Sequence, residues 1–146
     1  MALKVLKGVW FLSMLAALVA LLYVYAGLPQ EVIVQEEAGA KVTISNEGFF
    51  YTVMFLMAIS NGLVYAIGKV YKKNEDLRTW FYGLITTLNI FFIIGMNLIS
   101  LYNSSEKYDY GRIDFIIYGS VGLIITWVAA WPFYSLYKHF FSKASV

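Results

Sequence analysis

Residues 49–102 read FFYTVMFLMAISNGLVYAIGKVYKKNEDLRTWFYGLITTLNIFFIIGMNLISLY. Two apolar runs, Phe49 to about Tyr71 and Thr79 to Tyr102, flank the short basic turn Lys72-Lys73-Asn74-Glu75-Asp76-Leu77-Arg78. At about 1.5 Å of rise per helical residue, each run is long enough to cross the ~30 Å hydrocarbon core of a bilayer. The stretch is therefore expected to form a transmembrane helical hairpin with its turn in the cytoplasm. The rest of the chain is expected to pack against that hairpin.

Composition points the same way. Of 146 residues, 60% are hydrophobic and 14% charged, which is too apolar for a small water-soluble domain. The net charge of +2 is small and scattered, and no zinc or phosphate-loop motif is present, so a nucleic-acid partner is not expected. The chain has no cysteine, which removes disulfides, iron-sulfur clusters and thiolate metal sites together. One histidine, His139, is too few for a bis-histidine haem within one subunit or a multi-histidine metal centre. No cofactor and no metal are expected.

Outward from the hairpin, a first uncharged run covers 8–28, preceded by Lys4 and Lys7. Val24-Tyr25-Ala26 has the small-residue spacing of a secretory cleavage site, but the run exceeds the ~7 to 15 residues of a signal core, and a span is expected. A fourth run covers 113–137. The linker 29–48 carries Glu31, Glu36, Glu37 and Glu47 against a single Lys41. Within it, 31–35 and 41–45 are rich in β-branched residues, and Gly39 between them can supply a positive backbone angle. A small β-hairpin is expected, resting on the bundle or on a partner because an isolated hairpin is marginal in water. In the polar linker 103–112 and just beyond, Asp109 or Asp114 is placed to cap or flank the fourth helix. The predicted fold is an all-α integral membrane protein: a single four-helix transmembrane bundle with a small β-hairpin in its first extracytoplasmic loop.

Orientation follows from the lysines and arginines. With both termini and the turn 72–78 on one side, that side holds Lys4, Lys7, Lys69, Lys72, Lys73, Arg78, Lys138 and Lys143, against Lys41, Lys107 and Arg112 on the other. Both termini are expected in the cytoplasm, in an architecture like that of a small bacterial inner-membrane protein. Trp10, Trp80, Trp127 and Trp131 all fall in the cytoplasmic half, where indoles anchor a helix at the interface.

Lipid tails are as apolar as leucine, so helices associate in a membrane through close backbone approach and polar contacts. Small residues recur on three spans: Ser13, Ala16 and Ala20; Ala58, Gly62 and Ala66; Gly119, Gly122, Thr126 and Ala130. These rows are expected to pack within one subunit. Asn61 and Asn89 each lie roughly 15 Å inward from the turn, so their carboxamides can meet. At about 100° per residue, Tyr82, Thr86, Asn89, Asn97 and Ser100 fall within a ~80° arc, which is expected to face the bundle or a subunit contact. Asn61, Asn89, Asn97, Thr86 and Ser100 are the candidate site, read either as interhelical hydrogen bonding or as the lining of a ligand path.

No Asp, Glu, Lys, Arg or His lies at mid-span, whereas pumps and ion-coupled carriers place an ionisable group there. The cluster Tyr108, Asp109, Arg112 and Asp114 has no histidine and no nucleophile–base spacing, so no enzyme activity is expected. The layout resembles the claudin-type four-pass proteins in topology only, since the tryptophan and paired cysteines of their first loop are missing. Two readings remain. The first is a non-catalytic subunit or assembly factor of a larger membrane complex, contacting other membrane subunits or its own copies. The alternative is a small transporter or binding protein for a lipid, quinone or other amphipathic molecule along the Asn61 and Asn89 seam.

Overall fold

The computed structural model describes residues 1–37, 39–104 and 110–141, the side chains of 37 and 110–114 excepted. Four helices and one two-stranded hairpin follow in the order α1 (Ala2–Gly27), β1 (Glu31–Glu37), β2 (Ala40–Ser45), α2 (Asn46–Val70), α3 (Glu75–Tyr102) and α4 (Tyr110–Phe141). All four helices are long and apolar enough to cross a membrane.

Capping explains why the helices outrun the apolar runs. The Ser45 hydroxyl accepts the Gly48 N–H at 3.0 Å, so α2 starts at Asn46 and not at Phe49. The Asn74 side chain accepts the Leu77 N–H at 3.0 Å, and Glu75 and Asp76 occupy the positive end of the helix dipole. The connection between α2 and α3 is thereby tighter than the 72–78 turn of the sequence reading. Pro132 has no N–H for the Val128 carbonyl, yet α4 continues past it to Phe141. The proposed caps Asp109 and Asp114, and the cluster they form with Tyr108 and Arg112, lie outside the described residues and side chains.

The hub of the packing is α3 alone, not the α2–α3 pair expected from the sequence. α3 touches α1, α2 and α4, with α1 making the most extensive contact, while α4 touches only α3 among the described residues. On α1 the buried row is Ala17, Leu21 and Val24, with Ser13 and Ala20 half-buried beside it. Ala16, assigned to the small-residue face above, is exposed, and Ala17 takes its place. Two apolar clusters result. Near the hairpin, Leu21, Val24, Leu28, Val32, Phe49, Met57 and Met96 pack together. Near the turn, Val64, Tyr82 and Ile85 pack with Leu3, Leu6 and Trp10.

The other small-residue rows do not pack inward as expected. Ala58, Gly62 and Ala66 on α2, and Gly119, Gly122, Thr126 and Ala130 on α4, are all exposed. A Cβ added to Gly62, Gly119 or Gly122 would meet nothing within 4 Å. The physical reason is the hub arrangement. Each outer helix needs only one face to reach α3, and larger side chains such as Met57, Val64 and Trp127 supply it.

The hairpin forms as the sequence indicates, with Gly39 at φ +83° in its turn. The pairing runs from Glu31 opposite Ser45 to Glu37 opposite Ala40, and slips by one residue between Ile33 and Gln35, which marks a bulge at Val34. It rests on the bundle. Val32 is fully buried, and the Asn103 side chain at the end of α3 pairs with the backbone of Ile33, accepting its N–H at 2.7 Å and donating to its carbonyl at 3.0 Å. The Tyr102 hydroxyl donates to the Glu36 carboxylate at 2.6 Å. Asn103→Ala should leave the helices intact and accelerate hydrogen exchange at the Ile33 amide by about tenfold, the size expected for one lost, partly buried hydrogen bond. An unchanged exchange rate would mean that Asn103 does not hold the strand.

Candidate functional site

Between the two apolar clusters lies a polar seam contributed by three helices. Asn61 on α2 and Asn89 on α3 face each other as a reciprocal amide pair. The Asn61 amide nitrogen donates to the Asn89 oxygen at 2.9 Å, and the Asn89 nitrogen donates to the Asn61 oxygen at 3.1 Å. Helix α1 closes the third side. The Trp10 indole N–H donates to the Asn61 oxygen at 2.9 Å, and the Asn89 nitrogen donates to the Ser13 hydroxyl at 3.0 Å. The Ser13 hydroxyl donates to the Trp10 carbonyl at 2.7 Å, and Asn61 donates its remaining N–H to the Met57 carbonyl at 2.9 Å.

A carboxamide has two N–H donors and one oxygen with two lone pairs. In Asn61 all four positions are used, and in Asn89 only one lone pair is left, on a residue with no exposed surface. Satisfied amides are what an apolar surrounding demands, because each unmade hydrogen bond there costs several kcal/mol. Chemically the seam can clasp three helices in one register. It contains no ionisable group and no base beside the Ser13 hydroxyl.

The remaining candidate residues are not part of this cluster. Thr86 is buried on the same side of α3, but its hydroxyl donates to the Tyr82 carbonyl of its own helix at 2.8 Å. Ser100 is half-buried toward the hairpin. Asn97 is exposed and donates only to its own helix, to the Ile93 carbonyl at 2.7 Å. Among the described residues, no three His, Asp or Glu side chains converge where a metal ion could sit.

Beyond anchoring at an interface, the tryptophans have a second use that an interfacial position alone does not reveal. Besides Trp10 in the seam, Trp80 on α3 and Trp127 on α4 exchange hydrogen bonds: each indole N–H donates to the other residue's backbone carbonyl, at 2.8 and 2.9 Å. Gly83 makes this exchange possible. A Cβ there would come within 2.5 Å of Trp127 Cε2 and closer still to Cζ2, so the ring lies directly on the bare backbone of α3. Further along, Trp131 stands 5.4 Å from the Trp80 ring, and Asp76 accepts from Lys138 at 2.7 Å and from the Tyr134 hydroxyl at 3.0 Å. The signal that could have revealed this contact is the spacing of Trp80 and Gly83, a large donor one helical turn from a gap.

No protein family, curated protein or solved structure matches the chain.

Proposed function

We propose that the protein is a non-catalytic integral membrane subunit, or assembly factor, of a larger membrane complex. We place it in a bacterial inner membrane with both termini cytoplasmic and the hairpin outside, on the strength of the lysine and arginine asymmetry. One observation carries the functional reading: the small-residue rows of α2 and α4 are turned away from the chain's own core. Small residues in a membrane helix allow another helix to approach closely, and a bundle that stands alone has no use for them on its outer surface. Helix α4 adds weight, because among the described residues it touches only α3 and leaves large apolar side chains such as Phe115, Ile125 and Phe133 exposed. The competing reading, carriage of an amphipathic molecule along Asn61 and Asn89, has less support, since the amide groups are already occupied by one another and by α1.

The test is purification of the tagged protein in a mild detergent, beside Gly62→Ile and Gly122→Ile variants. Wild type should carry a stoichiometric membrane companion, identified by mass spectrometry. One or both variants should lose it while remaining monodisperse and helical, because a Cβ at either position meets nothing within 4 Å. Recovery of wild type as a lone monomer, or retention of the companion by both variants, refutes the proposal.

A further inference from the structure

At the turn end of the bundle a cavity of about 340 Å³ opens between α1, α2 and the start of α3. Four cations line it, Lys7 from α1, Lys69 and Lys72 from the end of α2 and its turn, and Arg78 from α3, and no carboxylate lines it. Among the described residues none of the four is paired with an acid. Cations gathered at one opening with no carboxylate among them favour an anion there. Retaining a chosen membrane orientation requires lysines on one side, but it does not require them to converge on a cavity.

Arg78 supplies the second, independent observation. Its Nη1 donates to the Lys72 carbonyl at 3.3 Å, which holds the guanidinium in place. Its Nε is buried and has no hydrogen-bond partner. The guanidinium lines the cavity with three lysines, a set that matches the several oxygens of a phosphate, and a small rotation of the Arg78 side chain would give the unpartnered Nε an acceptor there. The cavity also has an apolar side. Tyr65 in its wall is 77% exposed, and a Cβ on Gly68 would meet nothing within 4 Å, so the wall on the α2 side is open where a lipid's glycerol and acyl chains would lie.

We infer that this cavity binds the phosphate headgroup of an anionic phospholipid. A basic pocket among helix ends is the usual place for such a headgroup, and each lysine or arginine near an anionic surface contributes about fivefold in affinity. Soluble phosphate shares the chemistry, but the open α2 wall and the position at the ends of apolar helices favour the lipid. The inference does not depend on the protein being a complex subunit.

The experiment uses the full chain reconstituted in liposomes of equal phosphatidylglycerol and phosphatidylethanolamine, released for native mass spectrometry. Wild type should retain phosphatidylglycerol at least about tenfold over phosphatidylethanolamine. Arg78→Gln and Lys72→Gln should each reduce that preference about fivefold, and Lys41→Gln on the hairpin should leave it unchanged. If Arg78→Gln does not fold, the double variant Lys7→Gln with Lys69→Gln carries the test, since both side chains are exposed. In parallel, thermal unfolding in detergent is followed with added phosphatidylglycerol, inorganic phosphate or glycerol phosphate, and only the lipid should raise the midpoint. Equal retention of the two lipids by wild type, or an undiminished preference in the cavity variants, overturns the inference. Stabilisation by either soluble phosphate to the same extent as by the lipid overturns the lipid assignment.

Discussion

Gly83→Ala should destabilise the protein by about 3 kcal/mol, at the upper end of what overpacking a well-filled contact costs. The added methyl would overlap Trp127, which comes within 2.5 Å at Cε2 and nearer at Cζ2. The ring cannot move aside cheaply, because its N–H is bonded to the Trp80 carbonyl at 2.9 Å and its own backbone carbonyl receives the Trp80 N–H at 2.8 Å. Either α4 shifts and both bonds break, or α3 bends. The check is a double-mutant cycle read by detergent-titration unfolding. Trp127→Ala removes the obstacle and costs about 3 kcal/mol by itself through lost packing. In that background Gly83→Ala should cost less than about 0.5 kcal/mol, since the three atoms nearest to the added Cβ all belong to the Trp127 ring. A wild-type midpoint for Gly83→Ala would show that α4 does not rest on this glycine.

The second large effect is expected at the seam. Asn89→Leu removes two bonds to Asn61 and one to Ser13 from a residue with no exposed surface. Interhelical hydrogen bonds in membranes average about 0.6 kcal/mol, which puts the loss near 2 kcal/mol. Asn61→Leu should cost a similar amount, and the double variant clearly less than the sum, because the two residues share the reciprocal pair. Additive losses would mean that the amides act separately and that the reciprocal pair does not exist in the membrane.

The sequence was most informative where a single physical requirement controls the outcome. A span needs unbroken apolar length, and four such helices are present. The turn at Gly39 needs a positive φ, and it has one. Asn61 and Asn89 sit at matched depth from one turn, and they meet. Where one residue type can satisfy two demands, the sequence was silent. An indole at the interface is equally content as an anchor or as a donor to another helix, so the roles of Trp10, Trp80 and Trp127 emerge only in the packed fold. Small residues pack as well against a partner as against their own chain, which is why the outward direction of Ala58, Gly62 and Ala66 could not be foreseen. Asn97 shows the limit of a helical wheel. Eight residues at about 100° each rotate it roughly 80° from Asn89, and only the Asn89 flank of α3 is covered by α1 and α2.

Because α4 touches α3 and nothing else among the described helices, the first three helices can complete their own interior while the ribosome is still producing the fourth. The late arrival then meets a finished surface in which Gly83 serves as a ready-made notch for an incoming indole. Assembly in the bilayer would proceed as three helices followed by one, and the last would be the first to let go.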